Sequence, residues 1–335
     1  MKRLFKMLLC SALVLCMTGC GSTAPTTESI ETTTSQTTTA SESESESETT
    51  AATTEETTAK NDTLVIYFSA TGTTKGIAEK IAAITGADLY EITAAQPYTE
   101  DDRNWKDSKS RCSVEQNDTS VRPDISSEPI SLDGYKTIYI GYPIWFAQEP
   151  RIMDTFVENN DFGNAKVVPF CTSGSSGIGD SWKNLAVNAG SGNWITGTRF
   201  SGSETDFELR DWVYSLPRAM TLKINDTEVP VMWEDNDSVK ELYSYAASGI
   251  RIELSQFDGF ERFGHIGKSL TSNEEKITTS YGDIMLANND QLVVFCGSKT
   301  LKYTRLGKIL LSEEKMIELL SKDGNVTGTA VIKLM

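Results

Sequence analysis

The sequence predicts an α/β protein: a doubly wound, five-stranded parallel sheet followed by a mainly-β barrel with two helices. Three observations carry that prediction. Between residues 63 and 216, short apolar runs alternate with stretches whose apolar residues recur at helical spacing, the pattern of β-α units feeding a parallel sheet. After Pro217 the chain changes to short segments of alternating polarity with only two helical stretches. Before residue 63 almost no large apolar side chain occurs over some forty residues.

Taken in order, Lys2, Arg3 and Lys6 precede an apolar run from Met7 to Met17, which is followed by Thr-Gly-Cys. The run is shorter than the ~20 residues of a spanning helix. Small residues ahead of a cysteine resemble the lipobox of bacterial lipoproteins. That resemblance implies a signal peptide over residues 1–20, acylation of Cys20, and an extracytoplasmic chain held to the membrane by a lipid anchor; a plain secretory signal, or a short anchor with Cys20 as an ordinary residue, are the alternatives. Residues 21–62 are rich in Thr, Ser and Glu and cannot bury enough surface to offset ordering entropy. They are expected to be a disordered tether, extended by self-repulsion along Ser41–Glu48.

Within residues 63–216, Thr63–Phe68 is a near-continuous apolar run, as expected for a strand covered on both faces. Ile77, Ile81 and Ile84 lie at helical spacing, and Gly86 stops that helix. Asp88–Ile92, Lys136–Gly141 and Lys166–Cys171 supply further strands, and Trp194–Phe200 a fifth. Asp180–Ala189 reads as a helix with Trp182, Leu185 and Ala189 on one face. Thr205 and Glu208 form a capping box that opens a last helix, with Leu209, Trp212, Val213 and Leu216 inward and Pro217 as its stop. Residues 93–131 form a long polar connection. The second region, residues 220–335, holds strands at Thr221–Ile224, Val229–Trp233, Ile250–Leu254, Asp283–Leu286, Leu292–Phe295 and Thr329–Leu334. Its helices are Ser238–Ala246 and Ser312–Ser321.

The formal net charge of the 335 residues is -16 with pI ≈ 4.6, which argues against nucleic acid as a partner. The charge is +3 over residues 1–20, -8 over 21–62, -8 over 63–216 and -3 over 217–335. Of six cysteines, Cys112, Cys171 and Cys296 lie in the folded part, widely spaced and without a CxxC pair; they read as single buried or loop thiols. The one histidine, His265, lies in the second region, so a Ser-His-Asp triad or a histidine metal site in the first has no basis, and no GxSxG occurs.

Three loops leave the carboxyl ends of the strands, where open parallel sheets bind ligands. Ser69–Thr74 (SATGTT) joins a strand to a helix, so free backbone N–H groups converge there. Gly72 lets the backbone approach a phosphate, while Ser69, Thr71, Thr73 and Thr74 add hydroxyls. Gly141–Pro150 (GYPIWFAQEP) brings Tyr142 and Trp145, aromatic rings able to stack on a flat heterocycle or simply to pack. Cys171–Trp182 (CTSGSSGIGDSW) is Gly- and Ser-rich, able to present backbone groups to a planar edge.

This succession resembles the flavodoxin family over residues 63–216. The resemblance implies a flavodoxin-like fold and FMN as cofactor. It assigns the phosphate to Ser69, Thr71, Gly72, Thr73 and Thr74. It places Tyr142, Pro143, Ile144 and Trp145 beside the isoalloxazine, with Thr172, Ser173, Gly174 and Gly177 opposite. Pro143 lacks an N–H near the flavin N5, which favours two-electron turnover. In the 93–131 connection, Trp105, Arg111 and Arg122 either cover the site or are ordinary surface residues. TSGSSGIG also looks like the TGxxxGxG of short-chain dehydrogenases, but it follows a later strand and no Tyr-x-x-x-Lys is present.

In the second region, Tyr303–Ile309 (YTRLGKI) and Gly282–Phe295 resemble small bacterial cyclophilin-like proteins. The catalytic pattern of a prolyl isomerase cannot be matched residue by residue, so that activity is not expected. Arg251, Phe257, Phe260, Phe263 and His265 either line a groove or pack. The expected function is electron transfer by a membrane-tethered FMN flavoprotein between an unidentified redox donor and acceptor. An NAD(P)H- or quinol-dependent reductase of quinone-like molecules, or a binding module acting through the cyclophilin-like region, are the alternatives.

Overall fold

Parallel pairing organises the first half of the chain. The structure is a computed structural model that describes residues 61–257, 259–321 and 327–335; the signal segment, Cys20 and nearly all of the tether lie outside the described residues. Strands β1 (Thr63–Phe68), β2 (Asp88–Ile92), β3 (Thr137–Pro143) and β4 (Lys166–Thr172) pair in parallel in the order β2-β1-β3-β4. β1 is buried at five of its six residues, as its unbroken apolar run requires. The expected fifth strand is present in two pieces. β5 (Asn193–Trp194) pairs with the start of β4, and β6 (Thr198–Phe200) with its end.

Helices cover both faces. α1 (Thr73–Thr85) and α5 (Asp206–Ser215) set Ile77, Ile81 and Leu209 against Val65, Tyr139, Val168 and Phe170. α3 (Arg151–Glu158) and α4 (Ser181–Ala189) set Ile152, Phe156, Trp182 and Leu185 against Leu64, Ile66, Ile138 and Ile140. α1 stops at Gly86, whose φ of 69° suits a residue without a Cβ. The Thr205–Glu208 capping box opens α5, with both of its reciprocal hydrogen bonds present. The polar connection 93–131 contains a helix that the sequence reading lacked, α2 (Arg111–Asn117), capped by the Ser110 hydroxyl.

The second half is antiparallel. It comprises β7 (Met220–Ile224), β8 (Thr227–Val229), β9 (Val231–Trp233), β10 (Ile250–Phe257), β11 (Glu261–His265), β12 (Glu275–Thr278), β13 (Asp283–Ala287), β14 (Gln291–Phe295), β15 (Thr300–Ile309) and β16 (Thr327–Leu334). Their order is β9-β15-β13-β14-β11-β10-β16-β7-β8, with β12 on β15. Two helices, α6 (Asp237–Ala246) and α7 (Glu313–Ser321), complete it; Leu242 and Met316 enter the core formed by Leu222, Ile252, Ile284, Leu306 and Ile332.

The two halves are joined by more than a linker. β5 pairs with β9 through Trp194 and Met232, so the sixteen strands form one continuous sheet. The Val231 N–H donates to Asn193 Oδ1 at 3.4 Å, and Lys183 Nζ meets Glu234 Oε2 at 2.6 Å. Met232 and Leu310 lie in the same core as Trp194. No helix among the described residues is long and apolar enough to cross a membrane.

Candidate functional site

The turn from β1 into α1 leaves helix donors open. Gly72 is the N-cap of α1, with φ 87°, and no side chain caps the helix. A Cβ at Gly72 would meet nothing within 4 Å, so the chain opens here onto space while the first N–H groups of the helix face outward. Ser69 Oγ accepts from the Gly72 N–H at 3.1 Å and fixes the loop, and the hydroxyls of exposed Thr71 and Thr73 sit 3.3 Å apart. Thr74 differs from the others: it is buried, and its hydroxyl bonds that of Thr172 at 2.7 Å.

That bond brings the first loop to the Gly/Ser-rich one. The Ile144 N–H donates to Thr172 O at 3.0 Å, tying in the aromatic loop as well. The Arg199 guanidinium, which sequence reasoning missed, donates to the carbonyls of Ser173 and Gly174 and so sets the course of that loop. Gly174 and Gly177 border open space. Thus the thirteen residues singled out from the sequence gather at the carboxyl edge of the sheet. Gly202 joins them, because a Cβ there would strike the Thr73 methyl group.

The aromatic pair separates. Tyr142 is 0% exposed, its ring packed in the core and its Oη 3.0 Å from Ser181 Oγ. The expectation that its ring can stack on a ligand is therefore corrected. Strand alternation explains it: Gly141 backs onto the Phe170 ring on one face of β3, so its neighbour points to the other, buried face. Trp145 remains partly exposed, in edge contact with Phe68 at 5.8 Å and Tyr98 at 4.9 Å between ring centroids.

Beyond Trp145 the backbone makes a two-residue turn. Trp145 and Gln148 exchange two N–H···O bonds of 2.9 Å, with Phe146 at φ 51° and Ala147 at φ 61° between them. Left-handed backbone favours Gly, Asn and Asp. The other paired left-handed residues obey this, using Asn225-Asp226 and Asn288-Asn289. Here Phe-Ala is forced into it, and Phe146 is left 44% exposed. Strain of this kind collects at functional sites.

The neighbouring thiol is inert. Cys171, at the end of β4, is fully buried, and burial pushes it up to about 12. Cys112, Cys171 and Cys296 are all free. Of the residues in the 93–131 connection, Arg111 pairs with Glu115 at 2.6 Å and lies over the Tyr98 ring, and Arg122 pairs with Glu158. Trp105 is exposed. In the second half, Phe257 and Phe263 stack edge-to-face at 6.3 Å and Lys299 Nζ lies 5.1 Å from the Phe257 ring and 5.2 Å from that of Phe260. Arg251 pairs instead with Glu253, and His265 with Asp290, so neither joins that cluster.

Residues 62–216 match the family profile described as Flavodoxin. The chain belongs, over those residues, to the flavodoxin family. Beyond its flavodoxin domain, residues 222–330 match the profile of the Cyclophilin-like family. Among solved structures, the flavodoxin domain is similar to a candidate flavoprotein from Bacteroides uniformis, with 44% identity over 46% of this chain and 98% of that one, at a TM-score of 0.44. A second candidate flavoprotein, from Bacteroides eggerthii, shares 44% identity over 46% of this chain and 96% of its own, at a TM-score of 0.43. A flavoprotein from Lactobacillus acidophilus, solved in complex with FMN, is 23% identical over 45% of this chain and 98% of its own, at a TM-score of 0.36. No curated protein matches the chain.

Proposed function

We propose that this flavodoxin-family chain binds FMN at the carboxyl edge of its parallel sheet and passes electrons outside the cytoplasmic membrane, to which Cys20 anchors it. The observation that carries the reading is the uncapped, Gly72-led start of α1, tied by Thr74 and Thr172 to the loops on either side. The donor set fits a phosphate dianion: backbone N–H groups and the hydroxyls of Ser69, Thr71 and Thr73 line the loop.

FMN, when bound, supplies reversible uptake of electrons. The chain's own part is to hold and shield it. Gly72, Thr73 and Thr74 would seat the phosphate, and the loops of Pro143, Ile144 and Trp145 and of Thr172, Ser173, Gly174 and Gly177 would hold the ring system. Tyr142 supports this arrangement from the core through Ser181. The acidic flavodoxin domain, at -8, disfavours further negative charge at the site and so lowers the potential at which electrons are accepted.

Titrating the full folded chain with FMN tests the reading. Quenching of flavin fluorescence with one-to-one stoichiometry is expected. Gly72→Ala should weaken binding about tenfold, because a Cβ at that φ costs roughly 1–2 kcal/mol. Fluorescence unchanged by saturating protein overturns it. Anchoring is read separately: labelled fatty acid should enter the chain in a lipoprotein-processing bacterium and be lost in Cys20→Ser.

A further inference from the structure

Beneath the Trp145 turn lies a buried ionic cluster that the proposed cofactor contacts do not use. Glu149, Arg151 and Asp154 are 1%, 3% and 1% exposed. Arg151 Nη1 donates to Glu149 Oε1 at 3.4 Å and to Asp154 Oδ2 at 3.3 Å. Its Nη2 donates to Gln148 Oε1 at 2.6 Å and to Gln116 O at 3.3 Å. Asn184 Nδ2 reaches both Glu149 oxygens at 3.3 Å, and Asn188 Nδ2 donates to Asp154 Oδ1 at 2.9 Å. From α2, Gln116 Nε2 donates to the carbonyls of Trp145 and Glu149 at 3.0 and 2.9 Å. The cluster therefore grips the turn at Trp145, Gln148 and Glu149.

Its charges do not balance. Two carboxylates and one guanidinium leave one negative charge among side chains that are almost wholly buried, and binding a proton relieves it. Among the described residues no second cation pairs with Glu149. α4 presents the neutral amides of Asn184 and Asn188, and β3 presents the Tyr142 hydroxyl, which bonds Ser181. Past α2 lies the carboxylate of Asp118; the Arg122 guanidinium, bonded to Glu158 at 2.7 Å, acts on Asp154 and Glu149 through space and makes no bond to either. Burial raises Glu149 to about 7, with Asp154 adding to the rise; Asp154 is itself raised by burial but opposed by Asn188 and Arg151. Geometry points the same way: Glu149 is met by side-chain contacts of 3.3–3.4 Å, whereas Asp154 is held by Asn188 at 2.9 Å, so Glu149 is the group that exchanges the proton.

We infer that Glu149 is a positioning residue whose carboxyl, by taking up or releasing a proton, sets how firmly Arg151 and Gln148 seat the Trp145 turn. With Glu149 protonated the cluster is neutral and Arg151 is free to hold Gln148 and Asp154. Once ionised, Glu149 competes with Asp154 for the shared Arg151 Nη1 and so turns the guanidinium against the 2.6 Å bond that its Nη2 makes to Gln148, whose backbone closes the turn. The same negative charge repels an anionic ligand at the loop. This last consequence rests on the FMN reading; the movement of the turn does not.

The test is fluorine NMR of the full chain carrying 5-fluorotryptophan, titrated from pH 5 to 9, with the Trp145 signal assigned by its loss in Trp145→Phe. The signal should titrate with a midpoint near 7. Glu149→Gln, which keeps size and hydrogen bonding, should abolish the titration, and Asp154→Asn should move the midpoint down. A Trp145 signal that is flat in the unaltered chain, or that titrates unchanged in Glu149→Gln, overturns the inference. FMN titrations at pH 6.0 and 8.5 run alongside. Affinity should fall about threefold to tenfold with pH beyond the change seen in Glu149→Gln, which retains only the ligand's own titration. Equal pH dependence in both proteins overturns the electrostatic consequence. Absence of FMN binding with the fluorine titration intact overturns the FMN reading and leaves the positioning role standing.

Discussion

Phe146 and Ala147 show how a single residue trades stability for placement. Both hold a backbone conformation that costs an L-residue roughly 1–2 kcal/mol. Ala147→Gly should therefore raise unfolding free energy by about 1 kcal/mol in a denaturant titration, while the freed turn retains FMN less well. Glu149 gives a second prediction with a definite sign. Its folded-state value is raised from 4.5 to about 7, so the folded protein keeps a proton that the unfolded chain has released. That contribution is fully present below pH 4.5 and is lost as pH rises to about 7, amounting to roughly 3 kcal/mol. Glu149→Gln should lose less stability than the parent across that window, in parallel melts at pH 4.5 and 7.5. The place of Gly72 at the start of α1 was legible because an apolar strand runs there into a glycine and then into helical spacing. Tyr142 was not, since its direction depends on which face of β3 the preceding glycine takes, and that is set by Phe170 on the neighbouring strand.

At the scale of elements, local signals decided what could be read. The Thr205–Glu208 box announced α5, and Thr205→Ala should cost about 1 kcal/mol, measured as a lowered denaturation midpoint. α3 carries Ile152, Met153, Phe156 and Val157 on one face, yet it starts straight after Pro150, where the eye stops at a loop. The division of the fifth strand comes from crowding: Gly197 lies against Ile178 and Pro169, and the chain steps out between Trp194 and Thr198. β12 was invisible because Glu275–Thr278 has no buried side chain; pairing with β15 alone makes it a strand. β15 was seen only as the YTRLGKI fragment, its polar residues masking ten residues of strand.

Over the whole molecule, the composition break at Pro217 is real in pattern but not in packing. Strands turn from parallel to antiparallel there, while the sheet and a core run through. Long-range pairing between β5 and β9 leaves no local trace in a sequence. It does leave a thermodynamic one: the described residues form one compact unit, so calorimetry should show a single transition. Met232→Ala should lower the melting of both halves together, costing about 2–4 kcal/mol; two resolved transitions would separate them. The junction has one more consequence. A parallel sheet of five strands has two open margins, each a template on which another chain could grow a strand. Here β9 closes one of them, and the other, β2, is only five residues long and bears Asp88 and Glu91. A chain seeking a strand to extend finds at this margin only a short edge, with the Asp88 carboxylate held by the Tyr135 hydroxyl and Glu91 by Lys75.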